Sequence, residues 1–231
     1  MRWVEETDST NSRLLDDARA GAPEGRVLVA DHQTAGRGRL GRRWEAPAGS
    51  SLLVSVLVRP DLPVARAHLV TMAAGLAASD ACEAVAGVRP GLKWPNDLVV
   101  DDAKLAGLLA ESVVDGEALR ALVVGMGLNV TAAPAGGATC LADHVGGPVD
   151  RRPLLDAWLA RLDARLDALD DVLADYRPRC ATLGRDVRVE RPDDAVEGRA
   201  VDVTDAGHLV VDAAGGRLEL AAGDVVHVRP A

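Results

Sequence analysis

The 231-residue chain contains no phenylalanine, and aromatic residues make up only 2% of it. Its core must therefore be built mainly from leucine, valine and alanine. The hydrophobic content of 48% is ample for one large domain, or for one domain with a small appendage. The tryptophans are the large exceptions, and we expect at least one of them to be functional. They are Trp3, Trp44, Trp94 and Trp158.

Cysteine is also scarce, and the three cysteines, Cys82, Cys140 and Cys180, lie far apart in the chain. This excludes a disulfide framework and a C-x-x-C metal or redox motif. The N-terminus has neither the basic region nor the apolar core of a signal peptide, and no apolar run approaches the roughly 18 to 20 residues of a membrane span. We expect a cytoplasmic protein that does not bind membranes.

The chain is acidic, with 35 acidic against 26 basic side chains and a net charge of -9. Such a charge repels nucleic acid. Four arginines within residues 37–43 are a local exception, and they alternate with glycines in the sequence GRGRLGRRW. This composition favours a small anionic ligand over DNA.

Other glycine-rich motifs fit this stretch poorly. Gly36, Gly38 and Gly41 match the dinucleotide-binding G-x-G-x-x-G pattern, but Pro47 and Gly49 argue against the helix that the pattern requires. The Lys-Ser/Thr of a phosphate-binding P-loop is missing, and no kinase motif follows. The remaining interpretations are a mobile loop that orders around an anion and a solvated basic surface loop.

Hydrophobic periodicity indicates an α+β fold. Capping side chains at 8–11 precede a first helix, residues 64–86 form a long alanine-rich helix, and 153–176 form an amphipathic helix with at most one break. Strands are predicted at 3–5, 26–32, 51–58 and 119–130, with a hairpin over 92–112 that turns at Asp101-Asp102, and 131–150 is predicted as a loop. We expect a mixed, mainly antiparallel sheet with helices on one side in residues 1–182 and a small C-terminal β-barrel in residues 183–231.

Charged residues interrupt the apolar runs of the predicted hairpin. Lys93, Asp97 and Lys104 lie in otherwise apolar segments, although lysines at strand ends are often merely solvated. Asn129 follows two glycines in GMGLNV, where it serves either a ligand or a turn. These side chains are candidates for a site beside the arginine-rich stretch.

The motifs DSTN, GRGRLGRRW, KWPNDL, KLAGLLAES and GMGLNV occur in this order, followed by the small β domain. Together they resemble the biotin protein ligases over essentially the whole chain. The resemblance implies a class II synthetase-like catalytic domain that forms biotinyl-5'-AMP from biotin, ATP and Mg²⁺. It also implies transfer of biotin to a lysine of a biotin carboxyl carrier protein domain of an acyl-CoA or pyruvate carboxylase. Some members carry an N-terminal DNA-binding domain, but this chain begins almost at the catalytic domain, so we expect no DNA partner and a monomer or weak homodimer.

The resemblance implies Lys104 and Arg37 as catalytic side chains. Lys104 would lie between the biotin carboxyl group and the α-phosphate, where its charge screens their repulsion. The implied biotin-binding residues are Ser9, Thr10, Asn11, Gln33, Arg37, Gly38, Arg39, Lys104 and Gly107. Ser9 is also compatible with a helix cap, and Gly107 with a packing glycine.

On the nucleotide side, the resemblance implies contacts from Arg39, Arg42, Trp44, Lys93, Asn96 and Asn129. Trp44 would pack on adenine when the loop closes. Asp97 would either bind Mg²⁺ or orient Lys104. Leu40 occupies a position that is often basic in relatives, so loop contacts there are expected to differ.

Two other functions and one interpretation without a ligand site remain open. A lipoate or octanoate protein ligase or transferase shares the fold and adenylation chemistry, but its acyl pocket would be apolar. A non-catalytic module could instead bind a phosphorylated partner through the basic loop, although Lys93 and Lys104 on apolar runs argue against it. A plain α+β domain without any nucleotide site is the third possibility.

Overall fold

A computed structural model describes residues 1–116, 118–191 and 194–228. The strands are β1 Arg2–Thr7, β2 Val27–Gln33, β3 Ser51–Val58, β4 Gly91–Lys93, β5 Asp97–Val100, β6 Ala103–Asp115, β7 Ala118–Asn129, β8 Asp186–Glu190, β9 Ala195–Val203, β10 Leu209–Ala213, β11 Gly216–Leu220 and β12 Asp224–His227. The α-helices are α1 Thr10–Arg19, α2 His68–Ala86, α3 Leu141–Val145, α4 Arg151–Leu166 and α5 Val172–Tyr176.

The first seven strands form one sheet in the order β1-β2-β3-β7-β6-β5-β4. The β1–β2 pair is parallel and the other pairs are antiparallel, which confirms the prediction of a mixed, mainly antiparallel sheet. Every residue of the interior strand β3 is buried, because helices cover both faces of the sheet there. Its sequence, SLLVSVLV, is accordingly apolar at nearly every position.

The long helices pack on one face of this sheet, as expected, but α1 packs on the other. Leu14 and Leu15 of α1 form a second, smaller core with Leu57 and Val123. Adjacent residues of a strand point to opposite faces, so the apolar run of β3 supplies both cores. The prediction of helices on one side therefore needs this correction.

Helix α2 lies between the sheet and helices α4 and α5. A helix covered on both sides is apolar around most of its circumference. Val64–Ala86 is, within the described residues, the one helical segment long and apolar enough to span a membrane, and 67% of its apolar window is buried in the protein. The expectation that no segment approaches such a span was therefore wrong, and α2 is accounted for as the core helix.

The structure adds detail to two predicted segments. The loop predicted over 131–150 contains the short helix α3, whose Leu141 is fully buried. The amphipathic segment 153–176 breaks once, because α4 ends at Leu166 and α5 starts at Val172 after a short 3-10 turn. The N-terminus of α4 agrees with capping rules, since the Asp150 side chain accepts a hydrogen bond from Arg152 N.

The hairpin predicted at Asp101-Asp102 is present between β5 and β6. Both aspartates adopt left-handed backbone conformations, with φ of 49° and 66°. A two-residue turn of this kind matches the natural twist of the paired strands. It places Lys104 near the start of β6, paired with Val99 of β5.

The remaining strands form a five-stranded sheet in the order β11-β10-β9-β8-β12. Within the described residues β11 and β12 are its unpaired edges, so the expected barrel is not closed by hydrogen bonds. One continuous core extends across the predicted boundary at residue 182, because Val187 and Val211 belong to the same cluster as Leu105. Trp94 also joins the two parts, since its indole N–H donates to Gly207 O at 2.9 Å.

Candidate functional site

A cleft lies beyond the N-terminus of α1, on the face of the large sheet that α1 covers. Gly125 and Gly127 point to this face, because they alternate along β7 with the same period as Ala121 and Val123 beneath α1. The five-stranded sheet contributes Asp224 to the cleft. Predicted site residues that line it are Ser9, Thr10, Asn11, Gln33, Arg37, Gly38, Arg39, Arg42, Trp44, Asn96, Asp97, Lys104 and Gly107.

Thr10, Asn11 and Gln33 line one wall of the cleft, and Ser55 is fully buried behind them; these four residues are called the polar wall. Gln33 Oε1 accepts hydrogen bonds from Thr10 N at 2.7 Å and Thr10 Oγ1 at 3.0 Å. Ser55 Oγ lies 2.7 Å from Thr10 Oγ1 and 2.5 Å from Asn11 Oδ1. Ser9 begins the wall as the N-cap of α1, where its side chain accepts from Ser12 N, so both of its predicted roles are compatible with its position.

The hydroxyl groups of the polar wall supply fewer hydrogens than there are oxygen–oxygen contacts within it. Asn11 Oδ1 and Gln33 Oε1 can only accept, and the hydroxyls of Thr10 and Ser55 supply two hydrogens for three oxygen–oxygen contacts. The amide of Asn11 cannot be reversed, because its nitrogen donates to Leu109 O at 3.1 Å. The wall is therefore rich in acceptor oxygens, and such a surface suits an N–H group of a ligand.

The arginine loop, residues 36–44, is a small hairpin over the cleft. Trp44 N donates to Gly36 O at 3.1 Å, and Gly38 N donates to Arg42 O at 2.8 Å. A Cβ on Gly36 would lie 2.3 Å from Trp44 O, so only glycine lets the two ends of the loop meet. At the tip, Leu40 has φ of 55° and a side chain directed largely into solvent.

Three arginines of the loop each contact a side chain from a different part of the fold. The contacts are Arg37 with Glu111 of β6 at 2.8 Å, Arg39 with Asn96 Oδ1 at 3.1 Å, and Arg42 with Asp224 of β12. Burial lowers the pKa of the Arg39 guanidinium, while Asp224 and Asp97 oppose this shift. An arginine stays protonated under such conditions, so Arg39 brings a permanent charge into the interior of the cleft.

Lys104 and Asp97 form an ion pair at the end of the cleft opposite the polar wall. Lys104 Nζ lies 2.7 Å from Asp97 Oδ1, and the lysine side chain remains 41% exposed, so an anion can still approach it. Asn96 links Arg39 to the sheet, because its Nδ2 donates to Leu108 O at 2.6 Å. This end can therefore hold negative charge with one lysine and one arginine.

Trp44 lies on a flat shelf made by Gly107 and Gly127, which are directly paired between β6 and β7. A Cβ on Gly127 would lie 2.3 Å from the indole, and one on Gly107 would lie 3.1 Å from it. The indole nitrogen is buried without a hydrogen-bond partner, and Lys104 Nζ lies 5.7 Å from the centre of the ring. Trp44 is the tryptophan of the cleft; Trp94 and Trp158 are buried in the core, and Trp3 bonds to Asp31.

Two predicted residues are not among those that line the cleft. Asn129 is buried, its Nδ2 donates to Thr139 O at 3.1 Å, and its Oδ1 accepts from Ser51, so both ends of its amide serve the protein itself. Lys93 lies on β4, and its positive charge adds to burial in lowering the pKa of His227 in the five-stranded sheet.

The residues missed in the sequence include the cleft glycines Gly125 and Gly127 and three polar residues that contact predicted ones. Ser55 is hidden in an apolar strand, Glu111 lies in a mixed segment, and Asp224 lies far along the chain in the β domain. A polar residue within an apolar strand was the available signal for Ser55, and a carboxylate directly after the apolar residues 105–110 was the signal for Glu111. No local pattern identifies Asp224.

The described residues contain no group of three or more His, Cys, Asp or Glu side chains able to hold a metal ion. The carboxylate of Asp97 is already paired with Lys104. A magnesium ion here would have to take most of its ligands from phosphate and water, as this ion commonly does. The geometry favours the orientation of Lys104 as the role of Asp97.

Comparisons with known proteins agree with this arrangement. The model of the biotin/lipoate A/B protein ligase family matches residues 3–129, and that of the biotin protein ligase C terminal domain matches residues 182–228. The chain is 44% identical to the biotin--[acetyl-CoA-carboxylase] ligase of Mycobacterium tuberculosis, over 98% of this chain and 88% of that protein.

Solved structures are similar over nearly the full length. The biotin protein ligase of Aquifex aeolicus in complex with biotin and ATP has a TM-score of 0.83 and 28% identity, covering 99% of this chain and 98% of that one. The ligase of Leishmania major in complex with biotinyl-5-AMP has a TM-score of 0.65 and 28% identity, covering 96% and 98%.

Proposed function

The chain belongs to the biotin/lipoate A/B protein ligase family, and we propose that it is an ATP-dependent biotin--[acetyl-CoA-carboxylase] ligase. In this reaction the carboxylate of biotin attacks the α-phosphate of ATP, which forms biotinyl-5'-AMP and releases pyrophosphate. The amine of a carrier lysine then attacks the acyl carbon and AMP leaves.

The observation that carries the proposal is the division of the cleft into two ends. The polar wall accepts N–H donors, and the opposite end presents the charges of Lys104 and Arg39. Biotin has this division, with a ureido ring at one end and a carboxylate at the other. The apolar acyl chain of lipoate or octanoate offers no N–H group to the acceptor oxygens of the polar wall, and its burial against them would be unfavourable.

Lys104 acts where two anions must meet. The biotin carboxylate and the α-phosphate repel each other, and a fixed ammonium group between them lowers the energy of their approach. Asp97 holds the ammonium group in place through the 2.7 Å ion pair, and the turn at Asp101-Asp102 holds the strand. The protein supplies position and charge, and no covalent intermediate with the enzyme is required.

The nucleotide is proposed to bind at the same end. Arg39, held by Asn96, and Arg42 direct positive charge toward the phosphates, and Trp44 offers a flat surface to the adenine. Mg²⁺ would enter with ATP and neutralise phosphate charge. The nucleotide roles of Lys93 and Asn129 stay predictions, because neither lines the cleft.

The proposed protein substrate is a biotin carboxyl carrier domain of acetyl-CoA carboxylase, and that of pyruvate carboxylase is a further candidate. We also propose a cytoplasmic location, with which the buried, unpaired Cys82, Cys140 and Cys180 are compatible. A monomer or weak homodimer, and a domain boundary near residue 182, complete the proposal.

An acid-dependent exchange assay tests this function. Labelled pyrophosphate should enter ATP when biotin and Mg²⁺ are present, and not when biotin is omitted. If lipoate or octanoate supports exchange and biotin does not, the proposal is wrong and the acyl pocket belongs to the other branch of the family. Binding of ATP without exchange for any of these acids would support a non-catalytic module.

A further inference from the structure

Glu111 has a central position that the proposed reaction does not explain. It lies on β6, its side chain is 20% exposed, and its two oxygens bind different partners. Oε1 lies 2.8 Å from Arg37 Nη2, and Oε2 accepts a hydrogen bond from Asn11 Nδ2 at 3.0 Å. Glu111 therefore joins the arginine loop to the polar wall.

The link to the polar wall is rigid. Asn11 is 4% exposed, and its Nδ2 also donates to Leu109 O. A Cβ on Gly125 would lie 2.1 Å from Asn11 Oδ1, so the amide fits only against a glycine. Since Asn11 Oδ1 also contacts Ser55, a shift of Glu111 would be felt along the whole wall.

The link to the loop acts at the base of the loop. Arg37 and Arg43 face each other across the small hairpin, and Gly38 N bonds to Arg42 O. An anchor on Arg37 therefore restricts both strands of the hairpin, which carries Arg39 at its tip and Trp44 at its end. The Arg37 side chain is 46% exposed and donates elsewhere only to Ser12 Oγ, at 3.5 Å, so Glu111 is its main partner among the described residues.

We propose that Glu111 is a positioning residue that holds the arginine loop closed against the biotin-binding wall through Arg37. This role of Glu111 rests on the proposed function, and it implies a different role for Arg37 from the catalytic one predicted in the sequence. Arg37 acts through Glu111 and not on the reacting phosphate, while Arg39 and Lys104 supply the charges that the adenylate meets. Glu111 thereby couples the affinity for biotin to closure of the loop without touching the reacting atoms.

A double-mutant cycle of Arg37→Gln and Glu111→Gln tests this route. Each single variant should raise the dissociation constant of biotin by roughly three- to tenfold, as expected for a half-exposed charged contact, and the loss in pyrophosphate exchange should appear in KM for biotin more than in kcat. The double variant should be no weaker than either single one. If the two losses multiply, or if kcat falls at unchanged affinity for biotin, Arg37 acts on the ligand independently and the proposal is wrong.

Two further variants separate the contacts of Glu111. Glu111→Gln keeps an acceptor for Asn11, whereas Glu111→Ala removes it, so the alanine variant should bind biotin more weakly than the glutamine variant. Asp115→Asn is the matched control, because Asp115 lies on the same strand but is 71% exposed and pairs with Arg120. It should behave as the wild type in every measurement.

Trypsin digestion of the free protein tests the anchor without assuming any activity. Cleavage after Arg39, Arg42 and Arg43 should be roughly three- to tenfold faster in Glu111→Gln than in the wild type, because local opening exposes these bonds. Equal rates would overturn the anchor even in an active enzyme. If the wild-type protein fails to exchange pyrophosphate with biotin, but Glu111→Gln is still cleaved faster than the wild type, the proposed function alone is contradicted.

Discussion

The two ends of the cleft are built in opposite ways. The polar wall is buried, with Thr10 and Asn11 each 4% exposed and Ser55 fully buried, and backbone and side-chain contacts fix its polar atoms. The charged end is open, and Arg42 is 63% exposed. It also contains the unpaired indole N–H of Trp44.

The difference follows from what each end has to recognise. The neutral ureido ring forms directional hydrogen bonds, which fixed donors and acceptors recognise. Because these side chains are already ordered in the folded protein, binding loses little conformational entropy there. Phosphate and carboxylate charges change during the reaction, and long side chains that can move allow them to enter, react and leave. We therefore expect changes at the charged end to alter rates and changes in the polar wall to alter affinity and stability.

The largest effect is expected for Lys104→Ala. Removal of a fixed charge from the meeting point of two anions should lower the single-turnover rate of adenylate formation by about 100- to 1,000-fold, with much less change in the affinity for ATP. Lys93→Ala is the comparison, since Lys93 lies outside the cleft, and we expect a loss of less than about tenfold there. Wild-type rates in Lys104→Ala would show that the charged end does not act on the chemical step.

Gly127→Ala should come next, because it fills the shelf that both ends share. The new methyl group would overlap the Trp44 ring, so the ring must move, and we expect destabilisation of about 1–3 kcal/mol with weaker binding of biotin and ATP. Gly147→Ala is the control, since nothing lies within 4 Å of a Cβ there. Denaturant unfolding and equilibrium titration measure both effects, and an unchanged midpoint would mean that Trp44 does not rest on the shelf.

Ser55→Ala examines the polar wall alone. It leaves Asn11 Oδ1 without its hydroxyl partner, so we expect a loss of about 1–2 kcal/mol in stability together with weaker biotin binding. Ser79→Ala is matched to it, because Ser79 is equally buried and bonds to Pro90 O outside the cleft. Ser79→Ala should lower stability and leave biotin affinity unchanged; equal affinities for the two variants would argue against a ligand role for the wall.

The smallest effect concerns the tip of the hairpin that carries Lys104. The hydrogen bond from Arg185 holds the pKa of Asp102 below its ordinary value, with His227 assisting and burial opposing. Because the folded-state pKa is depressed, the stability that the pair contributes is present above the unfolded pKa and is lost as the pH falls through the folded one. Asp102→Asn should therefore cost less than about 1 kcal/mol at neutral pH, since the contact is partly exposed.

The check is the pH dependence of urea unfolding. The difference between Asp102→Asn and the wild type should shrink as the pH falls into the acid range and vanish below the folded pKa of Asp102. A difference that stays constant across this range would mean that Arg185 and Asp102 do not interact through charge.

Much of the fold could be predicted because local patterns are strong in this chain. The turn at Asp101-Asp102 and the helix stop at Gly87 follow from short-range geometry, which periodicity and capping residues report. The position of α1 on the second face could not be predicted. The apolar stripe of a helix requires a partner surface but does not say which face of the sheet provides it.

The order of the motifs alone was enough to identify the family and to select most residues that line the cleft, because the glycines, lysines and arginines of such a site lie in short, recognisable segments. Only the tertiary structure decided how these side chains are paired. Asn11 and Glu111 are 100 residues apart, and Ser55 lies 44 residues from Asn11, yet they form one connected wall. Such contacts depend on how α1 docks on the sheet, and that docking is a property of the assembled core and not of any short segment.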